Sequence, residues 1–179
     1  MPAREPCQRL FFALWPQGEF KQKLHAVVSD ITLPQSSRCV PLENLHLTVL
    51  FLGLIDEKTR FCLQALNAPI SVPKFTFVLD RIDYWRKPRI LCLGCSETPT
   101  PLLELVQVLK ETAVNCNIEI EDREFQAHVT VARKVNKPET SVATLDQSIE
   151  WPVDQLVLLR SINKREGVYY ERVKTWNLN

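Results

Sequence analysis

Residues 43–53 read ENLHLTVLFLG and residues 127–133 read AHVTVAR, so His46-Leu47-Thr48-Val49 recurs as His128-Val129-Thr130-Val131 after 82 positions. Both copies sit inside short apolar runs of strand character. Alternation along a strand puts His46 and Thr48 on one face and Leu47 and Val49 on the other. The same holds for His128 and Thr130 against Val129 and Val131. Each copy thus offers an imidazole and a hydroxyl side by side, with a greasy underside. A motif repeated within matching strand–helix neighbourhoods is what a duplicated lobe would leave.

Working outward, short strands alternate with amphipathic helices. Arg9–Trp15 predicts a strand closed by Pro16. Phe20, Leu24, Val27, Val28 and Ile31 fall at helical spacing over Glu19–Ile31. A strand over Leu45–Leu52 stops at Gly53, and Asp56 caps a helix to about Asn67 with Leu63 and Leu66 inward. The middle predicts a strand Phe75–Leu79, a polar stretch with Tyr84, Trp85 and Pro88, and a strand Arg89–Cys95. Thr100-Pro101 opens a third helix, Thr100 as its N-cap, with Leu102, Leu105, Val106, Leu109 and Ala113 as its inward stripe. A strand Ala127–Ala132, a loop around Pro138, and a pair Gln155–Ile162 and Val168–Trp176 turning at Gly167 complete the pattern. The expected class is α+β, with two similar lobes and one cleft.

Size and composition narrow the function. The 179 residues suit one compact domain, and 45% hydrophobic content excludes a disordered chain. The longest apolar runs, Leu10–Trp15 and Leu47–Leu52, fall far short of a membrane helix, which needs about 20 residues. Arg4 and Glu5 sit where a signal peptide would be apolar, so a cytoplasmic protein is expected. A net charge of +1 gives no global field for nucleic acid, so any RNA recognition must be local. With only four glycines there is no glycine-rich loop to cradle a triphosphate.

The six cysteines, at 7, 39, 62, 92, 95 and 116, are expected to be free thiols in that compartment. Cys92 and Cys95 form a CxxC, but inside an extended run their side chains take opposite faces and cannot share an ion. No second pair completes a tetrahedral site.

The histidine pair suits in-line displacement at phosphorus. One neutral imidazole takes a proton from water, one imidazolium gives a proton to the departing oxygen, and the two hydroxyls bind non-bridging oxygens. His25, mid-helix and without a threonine partner, is expected on the surface. Arg133 lies five residues past His128, on the opposite face by alternation. It reaches the site only if the strand ends or bulges first, and a solvated strand-end arginine is the other reading.

RLFFAL at 9–14, the ENLHLTVLFLG and AHVTVAR stretches, RILCLG at 89–94 and the closing Tyr170 and Trp176 resemble the bacterial and archaeal RNA 2′,3′-cyclic phosphodiesterases, long called 2′-5′ RNA ligases, over nearly the whole chain. The resemblance implies two lobes, each an antiparallel sheet with helices on its outer face, related by a pseudo-twofold axis around a central cleft. The whole chain, 1–179, is then a single two-lobed domain. It implies hydrolysis of 2′,3′-cyclic phosphate RNA ends to 2′-phosphates without metal or cofactor, and, in some members, reversible 2′-5′ joining of tRNA halves. His46 would be the proton donor and His128 the acceptor, although the sequence is symmetric about that division. Thr48, Thr130 and Arg133 would bind the phosphate. The implied partners are RNA ends or small cyclic-phosphate nucleotides, with no membrane, and the chain acts as a monomer. Departures from the family pattern are Ala127 where proline is common, Val131 where leucine is frequent, and Cys92 at a position often aromatic. None removes a reacting group.

Other readings remain at this stage. A related enzyme would act on 2′-5′ oligoadenylate or a cyclic nucleotide-sugar phosphate. A binding module would hold an RNA end without turnover, though both histidines and both threonines are intact. A zinc enzyme would need a third ligand at proper spacing, which is missing.

Overall fold

The computed structural model describes residues 7–66, 70–121, 123–136 and 142–179. The chain runs β1 (Gln8–Leu14), α1 (Gly18–Asp30), β2 (Arg38–Cys39), β3 (Leu47–Ile55), α2 (Glu57–Gln64), β4 (Phe75–Trp85), β5 (Ile90–Gly94), α3 (Thr100–Asn115), β6 (His128–Arg133), β7 (Val142–Val153), β8 (Gln155–Lys164) and β9 (Gly167–Asn177). One antiparallel sheet orders these as β7-β4-β5-β6-β3-β1-β8-β9, with β2 beside β6. The β3–β6 junction is its centre. Outward from it, β6-β5-β4-β7 on one side corresponds to β3-β1-β8-β9 on the other. Each motif strand follows a strand–helix pair, β1–α1 for β3 and β5–α3 for β6, which is the expected two-lobed α+β arrangement.

The helices cross between halves. α1 packs on β7 and α3 on β3, so each helix leaves its own half to cover the other. In α1, Phe20 stacks on Trp151 of β7 with centroids 4.4 Å apart. In α3, Leu102, Leu105, Val106, Leu109 and Ala113 are all buried, as their spacing predicts. These faces close one core shared by both halves, including Leu47, Val49, Val129 and Val131 beneath the two motifs. Burial of the apolar undersides thereby forces His46, Thr48, His128 and Thr130 to the opposite face.

Most elements fall where the sequence places them, and the departures have physical causes. β3 does not stop at Gly53. The register steps from Leu10↔Gly53 to Phe11↔Phe51, a bulge that Gly53 accommodates at φ +82°. The polar stretch after Leu79 continues β4 to Trp85, and β7, unforeseen, pairs with it from Phe75↔Val153 to Asp83↔Val142. β7 is an edge strand rich in polar residues, so alternation there carries little hydrophobic contrast. α2 ends at Gln64, while Asp56 caps it by accepting the Thr59 N–H at 2.7 Å. In α3, Thr100 is the first helical residue and Pro99 the cap. The loop around Pro138 lies outside the described residues.

Two expectations fail. Cys62 of α2 and Cys116 beyond α3 form a disulfide, Cα–Cα 5.8 Å, rather than free thiols. They lie 54 residues apart, and nothing local announces that α2 docks at the end of α3. His25 is half-buried rather than on the surface, its ring nitrogen Nε2 donating to the Leu42 carbonyl at 2.9 Å. It holds the loop before β3. Cys92 and Cys95 are buried and free, and burial pushes the Cys92 thiol up to about 12, which makes it inert.

Candidate active site

The motif strands meet directly. β3 and β6 pair antiparallel with Leu47 opposite Val129; continuing that register sets His46 across from Thr130 and Thr48 across from His128. Both histidines are anchored alike. His46 Nδ1–H donates to the Asn44 carbonyl at 2.7 Å, and His128 Nδ1–H donates to the Gln126 carbonyl at 2.7 Å. A carbonyl only accepts, so the proton stays on Nδ1 in both charge states and Nε2 is the atom that titrates. The Thr48 hydroxyl lies 3.1 Å from His46 Nε2.

Arg133 reaches the site by the route alternation alone forbids. The β5–β6 register steps from Leu91↔Ala132 to Cys92↔Thr130, so Val131 is an extra residue and the strand bulges between motif and arginine. Arg133 is exposed at the strand end, and its charge opposes protonation of both His46 and His128. Burial pushes the Tyr170 hydroxyl up, and the Arg133 charge partly opposes that rise. The register thus sets Arg133 on the face that carries both imidazoles.

Burial pushes His46 down to about 4, helped by the Arg133 and His128 charges and opposed by the Asn44 hydrogen bond. His128 is lowered too, mainly by burial; the Gln126 hydrogen bond and the Asp83 carboxylate pull back. In the free site both rings are neutral near pH 7.

The sequence reading missed the walls. His46 is flanked by Phe11 (centroids 5.2 Å), Trp15 (5.9 Å, stacked) and Tyr170 (5.0 Å, edge-on). His128 lies 4.4 Å from Trp85. Phe11 sits in an all-apolar run, which gives no sign of which face meets the cleft. Asp83 reaches toward His128 because Gly94, the register partner of His128, has no side chain. The Asp83 carboxylate fills the space a Cβ there would take, and Arg81 pairs with it at 2.9 Å. Among the described residues no three metal-ligating side chains cluster, and no helix is long and apolar enough to cross a membrane.

A bilobed sheet presenting two matched His-x-Thr strands at its seam defines an internally repeated two-histidine protein. The 2′-5′ RNA ligase superfamily model matches residues 20–165, and the chain belongs to that superfamily. Its relatives include the RNA 2′,3′-cyclic phosphodiesterase of Escherichia coli K12, 29% identical over 173 residues covering 96% of this chain and 97% of that one. The protein of the same name from Thermus thermophilus is 29% identical over 182 residues, 95% and 90% of the two chains. Among solved structures, apo E. coli LigT superposes with a TM-score of 0.88 at 28% identity, covering 98% of this chain and 99% of that one.

Proposed function

We propose that this chain hydrolyses 2′,3′-cyclic phosphate ends of RNA to 2′-phosphates by two-histidine acid–base catalysis. The observation that carries this reading is the matched pair of Nε2 atoms. Each belongs to a ring fixed through Nδ1 to the carbonyl two residues back, and the strands bearing them are direct neighbours. The relatives' shared name, RNA 2′,3′-cyclic phosphodiesterase, supports the same substrate.

In the proposed reaction His128 Nε2 accepts a proton from water as the water oxygen bonds to phosphorus. The P–O3′ bond breaks, and His46 Nε2–H protonates the departing oxygen. Thr48, Thr130 and Arg133 bind the non-bridging oxygens, offsetting charge that builds in the transition state. His46 must carry a proton to play donor, while the empty site holds it neutral. The cyclic phosphate anion supplies the opposite charge that favours the imidazolium, so substrate binding and protonation are coupled. Both proton transfers come from side chains, so the reaction needs no metal. The whole chain, 1–179, works as one two-lobed domain, its support being a sheet that runs unbroken through both halves.

The test is incubation of purified protein with an oligonucleotide ending in a 2′,3′-cyclic phosphate, in excess EDTA. A 2′-phosphate product is expected at an undiminished rate. A 3′-phosphate, or activity lost to chelation and restored by zinc or magnesium, would overturn the reading.

A further inference from the structure

The face that carries His46 continues well past it. Register pairs Ala13 with Thr48, Phe11 with Phe51 and Arg9 with Leu54, and directly opposed residues share a face. Three rows thus run outward from the threonine along β1 and β3, each about 7 Å beyond the last. The first row holds Thr48 against His46. In the second, Phe11 lies against the same ring. Beyond these the side chains are open: Phe51 is 43% exposed and Leu54 68%. The Arg9 guanidinium stands over the Phe51 ring, 5.9 Å from its centroid, and among the described residues it forms no ion pair.

An uncovered phenylalanine in the middle of a sheet face loses burial that its neighbours gain, so its position calls for an occupant. Two apolar side chains are far too small an area for a protein interface and match one nucleobase. An aromatic ring beside a cation is the pairing that holds single-stranded nucleic acid without reading its sequence. A net charge of only +1 also demands that RNA affinity be concentrated locally.

We propose that Phe51 and Arg9 form a subsite for the nucleotide preceding the cyclic-phosphate end. The base of that nucleotide stacks on Phe51, and the phosphate joining it to the terminal nucleotide pairs with Arg9. The proposal rests on the function proposed above and adds a preference for RNA ends over cyclic mononucleotides.

The test compares kcat/KM for a 2′,3′-cyclic mononucleotide, a dinucleotide and a trinucleotide sharing one terminal nucleoside. Unmodified protein should favour the dinucleotide, with little gain from the third nucleotide. Phe51→Ala should lower the dinucleotide value by roughly 5–100-fold, the worth of one stacked base, and leave the mononucleotide value within about twofold. Phe51→Trp should retain the preference. Arg9→Ala should cost less and make the salt dependence shallower by about one unit of slope. Equal handling of mono- and dinucleotide, or a Phe51→Ala loss shared by both, overturns the subsite. Should no cyclic phosphate be turned over, the catalytic reading falls by itself. Fluorescence anisotropy with a labelled 2′-phosphate dinucleotide then decides the subsite: Phe51-dependent binding supports it, and Phe51-independent binding or none overturns it.

Discussion

His46 and His128 each hang two residues beyond the carbonyl that fixes Nδ1, yet their surroundings differ. His46 is enclosed by three aromatic rings, Phe11, Trp15 and Tyr170, and burial takes its pKa down to about 4. His128 has one aromatic neighbour, Trp85, and a carboxylate, Asp83, that favours its charged form. The cause lies one strand out. Beside β6, the bare backbone of Gly94 admits Asp83 from β4. Beside β3, the β1 positions are Phe11 and Ala13. The two motifs hold equivalent imidazoles, and the outer strands make their electrostatics unequal. In the free protein this order opposes His46 as donor, so the roles proposed above require the bound phosphate anion to raise His46.

The strongest way to break this comparison is to remove each ring in turn. His46→Ala and His128→Ala should each lower turnover by about 10²–10⁴-fold. A substrate whose leaving group needs no proton, such as a p-nitrophenyl phosphodiester, should then separate them. With His46 as donor, His46→Ala should recover most of its loss on that substrate and His128→Ala should not. Recovery by His128→Ala instead would exchange the roles. Equal responses would mean that both rings act as electrostatic clamps.

The threonines sharpen it at smaller scale. Thr48 bonds to His46 Nε2 at 3.1 Å, whereas among the described residues Thr130 makes no hydrogen bond to His128. If both hydroxyls bind the phosphate as proposed, either loss to alanine removes a bond to a charged group, worth roughly 1.5–3 kcal/mol. Thr48→Ala should also shift the pH dependence of turnover, because it strips a partner from the titrating atom. Thr130→Ala should lower kcat/KM and leave the pH profile in place. Identical profiles for both variants would show that the Thr48 contact has no bearing on protonation.

How much of this was legible in the sequence follows from range. The buried undersides of Leu47, Val49, Val129 and Val131 repeat with period two, so alternation fixes the outward face of each motif without any tertiary knowledge. The α3 stripe is equally local. Arg133 was readable only as a condition: its side chain reaches the cleft if β6 bulges, and Val131 is that bulge. The aromatic walls, the Asp83–Gly94 contact and the Cys62–Cys116 link depend on which strands and helices become neighbours. Asp83 and His128 stand 45 positions apart, joined across β5, and no periodicity carries that information. β7 escaped for a different reason: an edge strand solvated on its open side shows too little apolar contrast.

The smallest effect tests His46 without any substrate. A histidine depressed to about 4 in the folded chain against about 6.5 when unfolded means that the unfolded state binds more protons between those values. Stability therefore rises with pH across that window, is fully present above about 6.5, and is lost as pH falls toward 4. The full shift would correspond to about 3 kcal/mol, and partial exposure of the ring discounts this to roughly 1–2 kcal/mol. His46→Gln keeps a polar side chain that never charges, so it should flatten that part of the curve. Chemical denaturation at pH 7.5 and pH 4.5 provides the measurement. The fall in unfolding free energy between the two should be about 1–2 kcal/mol smaller in His46→Gln than in the unmodified chain. The matching variant His128→Gln should narrow the fall by less, because that ring is less enclosed and burial, the main cause, lowers it less. If the two variants flatten the curve equally, the inequality of the two half-sites is not present in the free protein and must be created by the bound phosphate.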